Sequence, residues 1–374
     1  MKKNILLLFA ISLFIGSTFA QKDDKVYNFT TVKQIKTTPV KDQAQSGTCW
    51  SFATTSFIET EMLRLGKPEV DLSEMFFVRN AYPLKALKYV RLHGSSNFGP
   101  GGQAHDVINM IRDYGIVPDE IYNGKNLGES KHYHNEMDAV LKAMLDAIVN
   151  NKDGKISTAW KSLVDNTLDT YLGKIPTTFN YNGKSYNAIS FKKDFCGINP
   201  DDYIEITSFN HHPFYQKLDL EVPDNWSNGL YYNLPMNEMM NVIENALSNG
   251  YSVAWDGDVS EKEFSNKKGF AIVPLNEDKS KTEITTEKTI TQEMRQSMFD
   301  NYSTTDDHLM HIVGKVNDQK GNTYYLTKNS WSATGNDFGG YINLSEAFVK
   351  LKTVAILIHK DAIPAEIAKK IGLK

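Results

Sequence analysis

The chain has 374 residues, with 41 Lys and Arg against 45 Asp and Glu and a formal net charge of −4. A balance this close to neutral, with no long run of one sign, argues against a nucleic-acid-binding protein. Two cysteines are too few for a disulfide scaffold, while the length allows a sizeable core in one large domain or two closely packed ones.

The first twenty residues are typical of a cleavable export signal. Two lysines precede an apolar run from residue 5 to 15, and residues 18–20 form a small-x-small cleavage pattern. The run is too short to cross a bilayer comfortably, and polar residues follow at once, which argues against a stable membrane anchor. We therefore predict a signal peptide over 1–20 and a mature chain, 21–374, that is periplasmic or extracellular.

Helical spacing of apolar residues dominates the first half of the chain. The pattern that begins at Cys49 ends before Gly66, so it places Cys49 at or near a helix N-terminus. The other helices are predicted to begin at Ser73 and to cover 103–114, 135–149 and 157–172. We treat about 27–120 as a helical core half and about 121–205 as a helical insertion, because no cluster of chemically active residues falls in the latter.

The second half of the chain carries a different pattern. Its runs of β-branched and aromatic residues are bounded by Gly, Asn and Asp, which is typical of strands. The predicted strands lie at 251–259, 308–316, 322–331 and 353–358. We expect one antiparallel sheet in a β-rich half of about 206–374. A helical half packed against such a sheet is an α+β plan, and the cleft between the halves is the expected site.

Cys49 is the first candidate for chemistry. A thiol attacks as the thiolate, and the free N–H groups and peptide dipoles of a helix N-terminus favour that negative charge. A nearby imidazolium would lower the thiol pKa further and pass a proton to a leaving amine. The residues alone leave two alternatives open: Cys49 pairs with Cys196, or Cys49 reacts and Cys196 is structural.

Three polar residues are candidates for completing a nucleophilic site around Cys49. His308 opens a predicted strand and Asn329 ends the next one, so the amide oxygen of Asn329 would accept the imidazole N–H and fix the ring. Trp331 would shield that hydrogen bond from water. Gln43 would place an amide N–H beside the Cys49 backbone N–H, and the two would form an oxyanion hole.

Four sequence blocks resemble the signature blocks of papain-like cysteine peptidases, in the same order. They are PVKDQAQSGTCWSFA, GPGGQAHDVINMIRDYGIVPDEIY, DHLMHIVG and KNSW. Ser46 stands where secreted papain-type enzymes keep a disulfide cysteine, and the interval from Cys49 to His308 is long. Both features are similar to the bleomycin hydrolase and aminopeptidase C branch. The resemblance implies a papain-like fold that hydrolyses peptide or protein substrates without a cofactor or metal.

The resemblance also implies a role for each site residue. The implied catalytic residues are the nucleophile Cys49, the acid and base His308, its orienting partner Asn329 and the oxyanion donor Gln43. The implied substrate-binding residues are Gly101, Gly102 and Trp331. The two glycines would pair through their backbone with an extended peptide, because a second backbone can approach closely only where side chains are absent.

The chain departs from the family pattern at three places. Ala44 and Ser332 replace glycines that are usual after the glutamine and the tryptophan of the site. The C-terminal arm that enters the cleft in the aminopeptidase branch, and so restricts cleavage to free N-terminal ends, is expected to be short here. Aminopeptidase and endopeptidase activity therefore both stay open, as does homo-oligomerisation.

Other polar residues receive interpretations outside this site. His308 and His311 resemble a metal pair, but residues three apart on a strand point to opposite faces. Asp256 and Asp258 are interpreted as turn formers at a strand end. Four further histidines are interpreted as solvated loop residues, namely His132, His134, His211 and His212.

Two other classes of protein are the alternatives. A catalytically silent peptide-binding protein would keep the fold, but it would not need Cys49, His308, Asn329 and Gln43 all intact. An acyltransferase or transglutaminase-like enzyme often has a carboxylate as the third member of its site, so Asn329 argues against that class.

Overall fold

The computed structural model describes residues 27–276 and 284–373. The predicted signal peptide at 1–20 lies outside these residues. The helices are α1 (Cys49–Arg64), α2 (Glu74–Arg91), α3 (Ala104–Tyr114), α4 (Asn135–Val149), α5 (Ala159–Leu172), α6 (Ala188–Ser190), α7 (Met236–Ser248), α8 (Gln292–Asp300), α9 (Glu346–Lys352) and α10 (Ala365–Lys370). One π-helical turn covers Phe191–Cys196, and 3-10 turns cover Pro200–Asp202 and Lys360–Ala362.

The strands are β1 (Thr30–Gln34), β2 (Phe179–Tyr181), β3 (Lys184–Tyr186), β4 (Tyr203–Thr207), β5 (Lys217–Asp219), β6 (Leu230–Asn233), β7 (Val253–Gly257), β8 (Phe264–Ser265), β9 (Phe270–Ala271), β10 (His308–Asn317), β11 (Thr323–Lys328), β12 (Tyr341–Ser345) and β13 (Thr353–His359). The predicted helices and strands are confirmed, with bounds that shift by a few residues.

Eleven strands of the described chain form one sheet, in the order β5-β6-β4-β13-β7-β10-β11-β12-β9-β8, with β1 paired to β10. Strands β2 and β3 form a separate hairpin. Most neighbours in the large sheet are antiparallel, but β4 runs parallel to β6 and β9 runs parallel to β12. The expectation of a wholly antiparallel sheet is therefore wrong near both ends. At the first end the chain passes through β5 and enters β6 in the same direction as β4.

Capping groups fix the starts of α2 and α3 but not that of α1. The N–H of Phe76 donates to the Ser73 hydroxyl at 2.9 Å, and the N–H of Gln103 donates to the Asp106 carboxylate at 2.8 Å. The side chain of Thr48, at the start of α1, makes no such bond. No side-chain cap therefore pairs with the first backbone N–H groups of α1, which begin at Cys49.

Strand β10 separates two hydrophobic cores. Leu309 packs among the residues of α1 to α5, whereas Met310 packs on the other face of the sheet with α7, α9 and α10. Successive residues of a strand point to opposite faces, so one strand contributes to both cores. Helix α1 lies against β10, and residues 50–62 of it are all buried. The N-terminal end of this central helix is thereby held next to the start of β10.

The end of the described chain packs on the β-rich half. Ile367 and Ile371 lie in the core behind the sheet, and Lys370 pairs with Glu238 of α7 at 2.6 Å. Among residues 27–276 and 284–373, no helix combines the length and the apolar character that crossing a membrane requires.

Candidate active site

Cys49 is the first residue of α1 and lies where the helical half meets the sheet. Its thiol accepts a hydrogen bond from the backbone of Leu309 on β10, which places the sulfur beside the residue that follows His308. Neither cysteine is in a disulfide. Cys196 is fully buried in the helical core, where burial raises its thiol pKa, in keeping with a structural role.

The imidazole of His308 is held by Asn329. Strands β10 and β11 are antiparallel neighbours, so the start of one lies beside the end of the other, and Nε2 of His308 donates to Oδ1 of Asn329 at 2.7 Å. Both residues are buried. Trp331 lies over the imidazole, with ring centroids 4.5 Å apart and an interplanar angle of 30°. With Nε2 engaged, Nδ1 is the ring nitrogen left for the thiol.

Burial disfavours a lone charge on the Cys49 thiol and also on the His308 imidazole. It raises the pKa of the Cys49 thiol to about 12, and carboxylates of Asp306, Asp256 and Asp224 raise it too. Burial also lowers the pKa of His308 to about 4, against the opposing hydrogen bond to Asn329. The expected lowering of the thiol pKa by the helix N-terminus is thus outweighed by burial and by the carboxylates. A thiolate at this position would need a cation such as an imidazolium as its counterion.

Gln43 is fixed by two hydrogen bonds to Ser330. Its amide oxygen accepts from the Ser330 hydroxyl at 2.6 Å, and its backbone N–H donates to the carbonyl oxygen of Ser330 at 2.8 Å. Its Nε2 and the backbone N–H of Cys49 take part in none of the hydrogen bonds found among the described residues. Two donors are therefore available for an oxyanion.

A half-buried lysine anchors the segment that carries Gln43. Nζ of Lys41 contacts the carboxylates of Glu59 at 3.0 Å and Glu74 at 2.5 Å, and it also pairs with Asp71. Burial raises the pKa of Glu74 to about 8 although Lys41 opposes it, because one ammonium serves three carboxylates. No local pattern predicts this cluster, because its members meet only when the segment before Gln43 folds onto α1 and α2.

The glycines expected to contact substrate line an edge close to the thiol. Gly102 is buried between Asp106 and the ring of Trp50, and a Cβ there would lie about 3.0 Å from Asp106. Its N–H and C=O join none of the hydrogen bonds among the described residues. The carbonyl oxygen of Gly101 accepts from Lys85 at 2.5 Å. The backbone of Gly102 is thus the free part of this edge.

The two departures from the family pattern share one backbone feature. Ala44 has a φ of 48° and Ser332 a φ of 69°, so both residues adopt the left-handed conformation that favours glycine. The usual glycines at these positions therefore have a conformational reason. This chain keeps the conformation without them.

A family model described as "Peptidase C1-like family" matches residues 89–373. The chain belongs to the Peptidase C1-like family. Aminopeptidase W from Lactobacillus delbrueckii subsp. lactis is 24% identical over 372 residues, which cover 89% of this chain and 84% of that protein. Aminopeptidase C from Streptococcus thermophilus is 23% identical over 375 residues, which cover 87% and 81% respectively. A crystal structure of PepW from Lactobacillus rhamnosis HN001 matches with a TM-score of 0.70 at 22% identity, over 92% of this chain and 85% of that one.

These matches confirm the predicted resemblance to papain-like cysteine peptidases of the bleomycin hydrolase and aminopeptidase C branch. They also confirm the α+β papain-like fold. The chain is thus a papain-like cysteine peptidase. The family model begins at residue 89, so it includes His308 and Asn329, whereas Cys49 and Gln43 precede it.

Several interpretations of polar residues in this C1-like peptidase are wrong. His132 and His134 are buried, not solvated, and burial lowers their pKa values to about 3 and about 4. Asp258 does accept a turn hydrogen bond from Ser260 at 2.9 Å, as predicted. Asp256 makes no turn bond, and neither of its buried carboxylate oxygens has a partner of good geometry among the described residues.

The remaining histidines are paired in other ways. His311 points away from His308 and shares a 2.9 Å hydrogen bond with the Ser56 hydroxyl on α1. His211 and His212 are partly exposed and both contact Glu221, at 3.1 and 2.6 Å. His308 begins β10 directly before Leu309, whose backbone contacts the Cys49 thiol, whereas His311 belongs to the packing of α1 on the sheet.

Proposed function

We propose that the protein is an exported cysteine peptidase of aminopeptidase type, which cleaves peptide bonds through a Cys-His-Asn triad and a thioester intermediate. The observation that carries the proposal is the 2.7 Å hydrogen bond between His308 and Asn329, next to a thiol bonded to the backbone of Leu309. The amide of Gln43, turned by Ser330, completes the arrangement. The names of the similar proteins, aminopeptidases W and C, favour the aminopeptidase type over an endopeptidase.

In the first half of the reaction, the thiol proton of Cys49 passes to Nδ1 of His308 as the sulfur attacks the substrate carbonyl carbon. The carbonyl π-bond becomes an oxyanion, which Nε2 of Gln43 and the N–H of Cys49 stabilise. The C–N bond then breaks, and the imidazolium gives its proton to the leaving amine. A thioester and a new free amino terminus result.

In the second half, water replaces the amine. Nδ1 of His308 removes a proton from water as its oxygen attacks the thioester carbon, and the same oxyanion donors act again. The C–S bond breaks, the thiolate recovers the proton from the imidazolium, and a carboxylic acid leaves. Asn329 keeps the ring oriented throughout, because its bond to Nε2 is compatible with both neutral and protonated imidazole.

Hydrolysis of aminoacyl arylamides by the purified chain tests this proposal. Cys49→Ala is expected to abolish turnover, and Gln43→Ala is expected to lower kcat about 100-fold. Cys196→Ala is the matched control and should keep activity, since this thiol is buried far from the reacting atoms. Turnover that survives Cys49→Ala would refute the proposal.

Alkylation provides a readout that does not need the right substrate. Iodoacetamide at mildly acidic pH is expected to modify Cys49 much faster than Cys196, and His308→Ala should remove this advantage, because the thiolate loses its counterion. Equal, slow modification of both cysteines in the wild type would count against catalysis.

Two further measurements address specificity and export. Cleavage of an arylamide with a free amino group, but not of its N-acetylated counterpart, is expected for an aminopeptidase, while cleavage of the blocked compound would indicate an endopeptidase. Removal of residues 1–20 predicts a mature chain that begins at Gln21 in the periplasm or medium, which mass spectrometry of the isolated protein would detect.

A further inference from the structure

Three carboxylates from separate segments of the chain lie near the Cys49 thiol. Asp224 lies in the loop between β5 and β6, Asp256 on β7, and Asp306 just before β10, and all three act on the Cys49 thiol strongly enough to raise its pKa. Three distant segments of the chain therefore bring negative charge to one place. We call these three residues the acidic pocket.

Asp256 forms the buried floor of the acidic pocket. Its side chain is 3% exposed, and both carboxylate oxygens lack a hydrogen-bond partner of good geometry among the described residues. It pairs in register with Leu309, whose backbone contacts the thiol. On β7, Asp256 has the same orientation as Ala254, which packs in the helical core, so it faces α1. A buried carboxyl without a cation beside it is costly to ionise, and burial, the negative charge of Asp306 and the side-chain interaction with Asp306 raise its pKa.

Asp306 and Asp224 hold the pocket against the glycine edge. Nε2 of Gln103, the residue after Gly102, donates to Asp306 at 2.6 Å. Asp224 accepts from Nδ2 of Asn97 at 2.7 Å and lies so close to Gly101 that a Cβ there would be 1.8 Å from its Oδ2. The partly exposed carboxylates thus flank the backbone to which an extended peptide would pair.

The acidic pocket contains no matching cation of its own. Lys85 opposes the raised pKa of Asp224, but its ammonium donates to the carbonyl oxygens of Gly99 and Gly101. No cation is among the main causes that shift Asp256 or Asp306, and the pKa of Asp306 is raised to about 7 by burial and by Asp224. Among the described residues, Asp256 and Asp306 therefore have no lysine or arginine that compensates their charge.

We propose that the acidic pocket binds the α-ammonium group of a peptide substrate, with Asp256 and Asp306 as its receptor and Asp224 at its rim. This inference rests on the proposed function and deepens it, because it names the part of the substrate that selects for free amino termini. The selection comes from the body of the fold, through side chains of β7 and of the segment before β10. A blocked amino terminus would place an uncharged amide against these carboxylates and lose the attraction.

Asp306→Asn and Asp256→Asn test the pocket, because both replacements keep the side-chain shape and remove the charge. For a free aminoacyl arylamide, each is expected to lower kcat/KM about 10- to 100-fold, mainly through KM. For the N-acetylated compound the same variants should leave kcat/KM unchanged or raise it. Asp113→Asn, which changes an exposed carboxylate at the end of α3, is the matched control.

Loss of both activities in equal proportion would overturn the proposal, since a merely structural role would affect both substrates. Unchanged discrimination between free and blocked substrates in both variants would overturn it as well. In either case the acidic pocket would be a structural feature of a working peptidase. Circular dichroism and thermal unfolding identify a variant that fails to fold, and the other variant then decides.

A binding measurement separates this inference from the proposed function. Cys49→Ala, which cannot turn over, is titrated with phenylalaninamide and with N-acetylphenylalaninamide by calorimetry. Binding of the free amine that is about 10-fold weaker or worse after Asp306→Asn supports the pocket, whether or not the wild type hydrolyses peptides. Equal binding of both amides to the Cys49→Ala protein would overturn the pocket, while failure of hydrolysis alone would overturn only the proposed function.

Discussion

Two groups of carboxylates with little exposure differ in their counterions. In the first group, Glu59 and Glu74 share the ammonium of Lys41. In the second group, Asp306 raises the pKa of Asp256, and no lysine or arginine of the described residues is among the main causes that shift either carboxyl. Burying a charge is unfavourable in both groups, but only the first group has a cation of the protein, the Lys41 ammonium, that compensates it. The first group therefore reads as structural and the second as a site for a positive group from outside.

The largest expected effect comes from breaking the neutralised group. Lys41→Met leaves Glu59 and Glu74 buried without their cation, so we expect the free energy of unfolding to fall by about 3 kcal/mol. Urea denaturation followed by circular dichroism measures it. Lys131→Met, which removes an exposed partner of Asp42, is the control and should change stability by less than about 1 kcal/mol. A small loss at Lys41 would mean that the two carboxylates simply take up protons.

Replacing a carboxylate by its amide should change the free energy of unfolding in opposite directions in the two groups. Glu59→Gln removes the charge that Lys41 pairs with and disturbs the bond from the Leu72 N–H at 2.8 Å, so it should destabilise the fold by about 2 kcal/mol. Asp256→Asn removes a carboxyl group whose ionisation is opposed by burial and by Asp306, so it should stabilise the fold by about 1 kcal/mol at pH 8. Thermal unfolding of the two variants compares them, and destabilisation of similar size in both would refute the distinction.

The pH dependence sharpens the comparison further. The pKa of Asp306 is raised from its usual value to about 7, so its contribution to stability is fully present below about pH 4 and is lost as the pH rises through 7. The variant Asp306→Asn should therefore gain stability relative to the wild type between pH 4 and pH 8. Urea unfolding at a series of pH values measures this gain. Asp113→Asn should show no such trend, and a trend of the reverse sign at Asp306 would contradict the assignment.

The smallest expected effect concerns backbone conformation and not charge. Ala44 and Ser332 both have positive φ, so Ala44→Gly and Ser332→Gly should each stabilise the fold by about 1 kcal/mol or less. Ala139→Gly on the exposed face of α4 is the control and should destabilise by about 1 kcal/mol. Thermal unfolding distinguishes the signs. A loss of stability at Ala44 would show that its methyl group packs favourably.

Local patterns predicted most of the elements that position the site. The helix that starts at Cys49, the cap at Ser73 and the strand that opens at His308 all follow from short-range spacing and end signals, and each is confirmed. The parallel pairing of β4 with β6 was not predictable in this way, because these short strands are joined only through long-range register. Neither was the π-helical turn before Gly197.

The site residues also divide into those that sequence patterns predict and those that they do not. Cys49, His308, Asn329 and Gln43 could be named because three of the four sequence blocks carry them, and the structure joins His308 to Asn329 and Gln43 to Ser330. The acidic pocket could not be named from the sequence, because Asp256 and Asp306 come together only through the pairing of β7 with β10. Local evidence predicts a turn former at Asp256 and a solvated loop residue at His132, but both side chains are buried, and sequence alone gives no measure of burial.

Strand β10 makes this peptidase intolerant of a shift in register. It begins with His308, contacts the thiol through Leu309, and then sends alternate side chains into two different cores before an irregularity near Gly314. Insertion or deletion of one residue between His308 and Gly314 would exchange the two cores' side chains and displace the imidazole in the same step. The same short segment therefore positions the imidazole and fills both cores. A change of register there would disturb the site and the folding together.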